Sequence, residues 1–327
     1  MSKKIIVLVV AATILASFRH AGAQQQAGKV PRIGVLRNDT PALFASRNEA
    51  FRQGLRELGY VEGQNLRLEY RYAEGKPDRL PQLAADLVNL RVDVIVVGGG
   101  TLAAAKNATT AIPIVVGAAN DLVGDGWVES LAKPGGNITG STTISPDVSG
   151  KRLEILKETV PKAARVAVLF WSPSRGDEEE VKQTEISARH FRVRVQRVKI
   201  QNRNEFADAY GMMIKQKADA VIIIQGGGTL PHRKELSELA IKHRLPSICE
   251  TSVWTEDGCL MSYGPDLLHL WRRAAIFVDK ILKGRTPADL PVEQPMKFEF
   301  IVNLKTANQI GLTVPPNVLV RAQKVIR

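Results

Sequence analysis

The chain has 327 residues, 44% of them hydrophobic and 24% charged, with a formal net charge of +12. That length exceeds what one hydrophobic core usually supports, so two domains are expected. The basic residues are interleaved with acids, as in KETVPKAAR and DEEEVKQTE, which describes a solvated exterior and argues against nucleic acid as a partner.

Lys3 and Lys4 precede an apolar stretch over residues 5–16, and Ala21-Gly22-Ala23 supplies a small-x-small cleavage pattern. This order predicts a Sec-type signal peptide over residues 1–23 and a periplasmic mature chain, with no direct membrane insertion after cleavage. The apolar run is shorter than the roughly 20 residues a bilayer requires and ends at Arg19 and His20. No later segment is apolar enough to span a membrane.

In the mature chain, short β-branched runs alternate with amphipathic helical stretches, the pattern of parallel sheets covered by helices. The first half predicts strands at residues 32–36, 66–72, 92–97, 112–116 and 137–141, with helices over 45–58 and 80–90. The second half predicts strands at 165–170, 192–198, 220–224, 246–250 and 259–263. The halves repeat one another in order. RIGVL at Arg32 corresponds to RVAVL at Arg165, VDVIVVGGGTL to ADAVIIIQGGGTL, and IPIVVGA at Ile112 to LPSICET at Leu245. Two similar α/β lobes facing one cleft follow, because open parallel sheets place ligands at the carboxyl ends of their strands.

Catalytic patterns are missing. The first strand-to-helix turn, LRNDTPALF, lacks the Gly-x-Gly-x-x-Gly of a dinucleotide site, and neither a Walker A loop nor a Gly-x-Ser-x-Gly elbow occurs. His190, His232, His243 and His269 show no metal-ligand spacing, so no enzyme activity, cofactor or metal is expected. Cys249 and Cys259 could form a disulfide in an oxidising compartment or remain two buried thiols; spacing alone does not decide.

The candidate binding residues sit at strand ends. The glycine runs bring Gly99, Gly100, Thr101, Gly227, Gly228 and Thr229, which could cradle an anion or could simply permit a tight turn. Gln225 precedes the second run. Other loops offer Asn38, Asp39 and Thr40; Asn120 and Asp121; Trp171 and Ser172; Glu250, Thr251 and Trp254; and Tyr263 and Asp266. Small-molecule sites combine a few such polar groups with apolar walls. Asn38, Asp39, Thr40 and Ser172 are also residue types that cap helices, and the aromatics are equally suited to a core.

Long stretches of the chain resemble a known family: EAFRQGLRELGYVEGQNLRLEYRYAEGKPDRLPQLAADLV, LAKPGGNITG, SGKRLEILKETVPKAARVAVLF and the segment from LMSYGPDLLHLW to LKTANQIGLTVPP. They are similar to ABC-transporter substrate-binding proteins, a family that includes tryptophan and tyrosine receptors. The resemblance implies a type I periplasmic-binding-protein fold: two Rossmann-like α/β lobes with parallel sheets, joined by a three-segment hinge. It assigns residues 29–145 plus 264–290 to lobe 1 and 146–263 plus 291–327 to lobe 2, with crossings near 142–147, 262–266 and 291–297. Pro146, Pro265, Pro291 and Pro295 suit such joints.

The resemblance also implies capture of a small molecule, an amino acid or aromatic-type solute, and delivery to an ABC permease with its ATPase. Asp121 would then meet an amino group and the glycine loops a carboxylate. Residues 225–229 and 249–251 depart from the family pattern, which leaves the solute undetermined. A sensory receptor of the same fold, feeding a signalling partner, is the alternative.

Overall fold

The structure, a computed structural model, describes residues 30–143, 145–171 and 175–327. The expected leader over 1–23 and the candidate Ser172 lie outside the described residues. The first half runs β1 (Arg32–Arg37), α1 (Ala45–Glu57), β2 (Arg67–Tyr72), α2 (Leu80–Asn89), β3 (Val94–Gly98), α3 (Gly99–Ala108), β4 (Ile114–Ala119) and β5 (Ile138–Thr142). The second half opens with α4 (Ser145–Thr159), β6 (Arg165–Trp171), α5 (Arg175–His190), β7 (Arg194–Ile200) and α6 (Phe206–Lys215). It continues through β8 (Ala220–Ile223), α7 (Arg233–Lys242), β9 (Ser247–Cys249), α8 (Ser252–Glu256) and β10 (Met261–Pro265). The chain ends with α9 (Leu267–Leu282), β11 (Phe298–Asn303), α10 (Leu304–Ile310), α11 (Pro316–Leu319) and β12 (Lys324–Ile326).

Among the described residues the strands form two sheets, of order β2-β1-β3-β4-β5 and β12-β11-β10-β9-β8-β6-β7. The first is wholly parallel. In the second only the β10–β11 pair is antiparallel. Reading β7-β6-β8-β9-β10 against β2-β1-β3-β4-β5 gives the same winding twice. The repeat seen in the two GGGTL segments is therefore a repeat of topology, with β3 and β8 at matching places.

Central strands such as β3, VIVVG, are buried along almost their whole length, as expected when helices cover both faces of a parallel sheet. In the first sheet, Leu36, Val97 and Val116 pack to one side with Leu102 and Leu87, while Ile33, Val35, Val94 and Val96 pack to the other with Phe51 and Trp271. The second sheet repeats this, with Val166, Val168 and Phe170 on one face and Ala167, Leu169 and Tyr210 on the other.

Helix α9 follows a strand of the second sheet yet packs on the first. Its buried positions Leu270, Trp271, Ala274, Ala275, Phe277 and Val278 recur at helical spacing and form one apolar face. Gly54 of α1 allows the close approach, since a Cβ there would come within 2.2 Å of the Arg272 carbonyl oxygen. The chain thus changes sheet after β5, after β10 and again before β11. Two of these passages are hydrogen-bonded to each other: Thr142 N–H donates to the Glu293 carbonyl at 2.9 Å, and Glu293 N–H donates to the Gly140 carbonyl at 2.9 Å.

Candidate ligand-binding cleft

In a sheet wound 2-1-3-4-5, the connections leaving strands 1 and 3 depart in opposite directions and open a crevice at their carboxyl ends. Both sheets do this, and the two crevices meet. The resulting cleft encloses about 290 Å³, close to the lower limit of about 300 Å³ for small-molecule pockets. Arg37, Asn38 and Gly98 to Thr101 line it from the first sheet, and Asp177, Gln225 and Leu230 from the second.

Arg37 was not among the candidates, although the sequence carried a signal. The matched segments RIGVLR and RVAVLF place Arg37 where the second half has Phe170, a core residue. Side chains alternate along a strand, so Arg37 continues the face of Ile33 and Val35 and meets Trp271. Its guanidinium carbon lies 3.6 Å from the centroid of the Trp271 ring and 4.9 Å from that of Phe44. Only 1% of Arg37 is exposed. Nη2 donates to Asn48 Oδ1 at 3.4 Å, and Asn48 Nδ2 donates in turn to the Tyr72 hydroxyl at 2.8 Å. Nε and Nη1 are buried without a hydrogen-bond partner among the described residues. Burial, reinforced by nearby Arg47, lowers its pKa to about 9, leaving it a cation at neutral pH.

Asp39, Arg47 and Arg233 add charge around the same space. Burial raises the Asp39 carboxyl, against the pull of Arg47, Arg233 and Arg37. Burial lowers Arg47, which Asp39 opposes and Arg233 reinforces. Arg233 belongs to α7 on the second sheet, so charges of one lobe act on those of the other.

The second-sheet wall is organised around Gln225. Its Oε1 accepts from the Thr251 hydroxyl at 2.6 Å and from the Trp254 indole N–H at 3.0 Å, while its backbone N–H donates to Glu250 Oε1 at 2.8 Å. Beneath it, Arg152 is paired with Glu180 and stands 3.7 Å from Glu250, with all three side chains buried. Burial pushes the Glu180 carboxyl up to about 8, against the pull of Arg152 and with added repulsion from Glu250 and Asp177. Asp177 is itself buried and lines the cleft.

Of the sequence candidates, Asn38, Asp39, Gly99, Gly100, Thr101, Asn120, Gln225 and Gly227 line the cleft. Thr101 and Thr229 behave as a pair: each accepts the N–H of the residue three before it and donates to the end of a neighbouring or preceding strand, Leu36 or Ile224. Thr101 thus turns inward, and Thr229 lies off the lining. Thr40, Asp121, Trp171, Gly228, Glu250, Thr251, Trp254, Tyr263 and Asp266 also lie off it.

Most of these have local partners. Asp121 accepts the N–H groups of Val123 and Gly124, holding its own turn. Trp171 covers Gly228 and meets Phe206 edge-on. Tyr263 stacks on Phe298, and Asp266 caps α9. Glu250, Thr251 and Trp254 hold Gln225. Beyond Arg37, the sequence reading missed Phe44, Arg47, Trp127, Asp177 and Trp271, which also line the cleft.

Cys249 and Cys259 are buried free thiols. Among the described residues, no group of His, Cys, Asp and Glu side chains could hold a metal ion, and no helix is long and apolar enough to cross a membrane.

Two similarly wound α/β lobes lining one polar-and-aromatic cleft define a two-lobed solute-binding protein. The chain belongs to the family described as ABC transporter substrate binding protein, whose pattern matches residues 36–326; members of this family are binding proteins rather than enzymes. The chain is 25% identical over 325 residues to a tyrosine-binding protein of Clostridioides difficile, covering 95% of this chain and 93% of that one. It is 24% identical to a Streptococcus pneumonia ABC domain in complex with L-Trp, with a TM-score of 0.84 over 91% of this chain and 100% of that one. Against the ligand-free, open structure of a substrate-binding protein with adhesive properties from Clostridium difficile, the TM-score is 0.71 at 24% identity, over 91% of this chain and 99% of that one.

Proposed function

We propose that this chain is the periplasmic solute-binding component of an ABC importer, and that it captures a small molecule, an amino acid or aromatic-type solute, by closure of two lobes. In this reading lobe 1 comprises residues 29–145 plus 264–290 and lobe 2 comprises 146–263 plus 291–327. The partners are a membrane permease and its ATPase. The observation that carries the proposal is the shared lining of the cleft, with Arg37 and Trp271 on one side and Gln225 and Asp177 on the other.

A ligand that contacts both sides binds the closed form better than the open one, and only such differential binding can drive closure. The likeness to both the L-Trp complex and the ligand-free, open structure supports the two-lobed fold on which such closure depends. The tyrosine-binding relative supports an amino-acid ligand.

The test combines a thermal-shift screen of the mature protein against amino acids, aromatic acids, purines and sugars with small-angle scattering of the best hit. A ligand present at 100 times its Kd stabilises the native state by about 2.7 kcal/mol. Stabilisation together with a smaller radius of gyration is the expected result. A shape unchanged by a saturating ligand would remove lobe closure, and stabilisation by none of the solutes would remove the receptor role.

A further inference from the structure

Resting on that receptor reading, we infer that Arg37 is the ligand's anchor and that the solute carries a carboxylate, bound at the end of β1 beside the first turn of α3. A guanidinium buried in an apolar wall is costly unless an anion or a full set of hydrogen bonds compensates it. Among the described residues no carboxylate forms an ion pair with Arg37, on which Asp39 acts only through space, and its hydrogen bonds are incomplete. Its one hydrogen bond, to Asn48, is long at 3.4 Å, and Nε and Nη1 have no partner. The matching position in the other half is filled by Phe170, so the fold does not require a cation at that place. Trp271 and Phe44 pack against the guanidinium, whose donors all lie in its plane and match the geometry of a planar carboxylate.

The glycine loop adds to the same spot. Strands β1 and β3 are neighbours, with Val35 opposite Val96, so Arg37 and Gly98 leave the sheet side by side. Thr101 donates to the Leu36 carbonyl at 3.2 Å, which fixes the first turn of α3 against the end of β1. Gly99 and Gly100 line the cleft there, and the first backbone N–H groups of a helix favour an anion. A Cβ on Gly98 would lie 3.6 Å from Trp271, which places the indole between loop and guanidinium. Phe44, Trp127, Leu230 and Trp271 add apolar surface to a lining that also carries Asp39, Asn120, Asp125 and Asp177, which suits a carboxylate borne on a larger, partly apolar body rather than phosphate or sulfate. The carboxylate end therefore faces lobe 1.

The experiment compares matched ligands on the wild-type protein and on Arg37→Gln and Arg37→Lys variants. The probes are L-tryptophan, L-tyrosine, indole-3-acetate, phenylacetate and aliphatic amino acids, set against tryptamine, tyramine and the corresponding carboxamides, with sugars and purines as neutral controls. Titration calorimetry should detect binding of at least one carboxylate and a loss of about 30-fold or more for its amide or decarboxylated partner. Arg37→Gln should lose a similar factor, and Arg37→Lys should recover part of it. The ligand comparison needs no variant, so the inference stays testable if Arg37→Gln fails to fold.

A carboxylate and its amide bound within threefold of one another would overturn the inference. So would an Arg37→Gln protein that is folded by circular dichroism and binds as the wild type does. If only a neutral or cationic solute binds and closes the lobes, the carboxylate anchor falls while the receptor reading stands. If no solute in the panel binds, both fall.

Discussion

The indole N–H of Trp254 donates to the side-chain oxygen of Gln225 at 3.0 Å. An indole nitrogen can only donate, so the Gln225 atom facing it must be the oxygen. The Thr251 hydroxyl fixes the same oxygen, and the amide NH2 is left as the end available to the cleft. Trp254 itself is fully buried. It acts on the cleft at one remove, by orienting a residue that lines it.

Trp254→Phe keeps most of the ring volume and deletes that donor. The loss of one hydrogen bond should lower stability by about 1 kcal/mol and, because the amide is no longer doubly held, weaken solute binding about two- to tenfold. Thr251→Val should act in the same direction. Melting temperature and a binding isotherm measure the two effects separately. A changed melting temperature with unchanged affinity would mean that Gln225 does not touch the solute.

Glycines of the first sheet and its helices separate into two kinds. A Cβ on Gly117 would lie 2.5 Å from the Trp271 ring, whereas a Cβ on Gly100 meets nothing within 4 Å. Gly117→Ala should therefore displace Trp271, cost about 1–3 kcal/mol, and disturb the Arg37 site with it. Gly100→Ala, at an ordinary helical position in α3, should keep or raise stability by about 0.4–1 kcal/mol and lower solute affinity by projecting a methyl group into the cleft. Denaturant unfolding of the two variants should give opposite signs. The same sign for both would contradict the packing described around Trp271.

The architecture was legible because it rests on local patterns. Alternation of β-branched runs with helical stretches gave strand and helix positions, and the GGGTL repeat gave the matched β3 and β8. The cleft was only partly legible. Strand-end polar residues such as Asn38, Asn120 and Gln225 announce themselves by position, but what a side chain faces depends on the parity of its strand and on helices distant in sequence. Arg37 meets Trp271, which is 234 positions further along the chain; only the return of α9 to the first sheet brings them together. Trp254 and Glu250 read equally well as contacts or as supports until the position of Gln225 between them is known.

Cys249 and Cys259 offer a test of the second-sheet core. Burial, with Cys259 alongside, pushes the Cys249 thiol well above its ordinary pKa, and Cys259 Sγ donates to the Met261 carbonyl at 3.3 Å. A buried thiol with a raised pKa has little reactive thiolate. A coloured thiol reagent should titrate neither cysteine in the native protein over minutes, and both in denaturant without added reductant. No titration in denaturant would mean that the two are bridged, and rapid titration of the native protein would mean that the core around β9 opens readily.

The pH dependence of stability follows from Glu180. Its carboxyl is raised to about 8 when folded, above an ordinary value of about 4.3 when unfolded, so the folded state binds a proton more tightly than the unfolded one. Stability from that proton is complete below the unfolded value and is lost as pH rises through about 8. The physical cause is first the burial of the carboxyl and then the repulsion of Glu250 and Asp177, which the single guanidinium of Arg152 offsets only in part. The melting temperature of the wild type should accordingly fall between pH 5 and pH 8.5. Glu180→Gln carries a neutral side chain of the same shape at every pH, and should be comparatively more stable at pH 8.5 than at pH 5. A wild-type-to-variant difference that stays constant across that range would place the shared proton elsewhere in the cluster or remove it altogether.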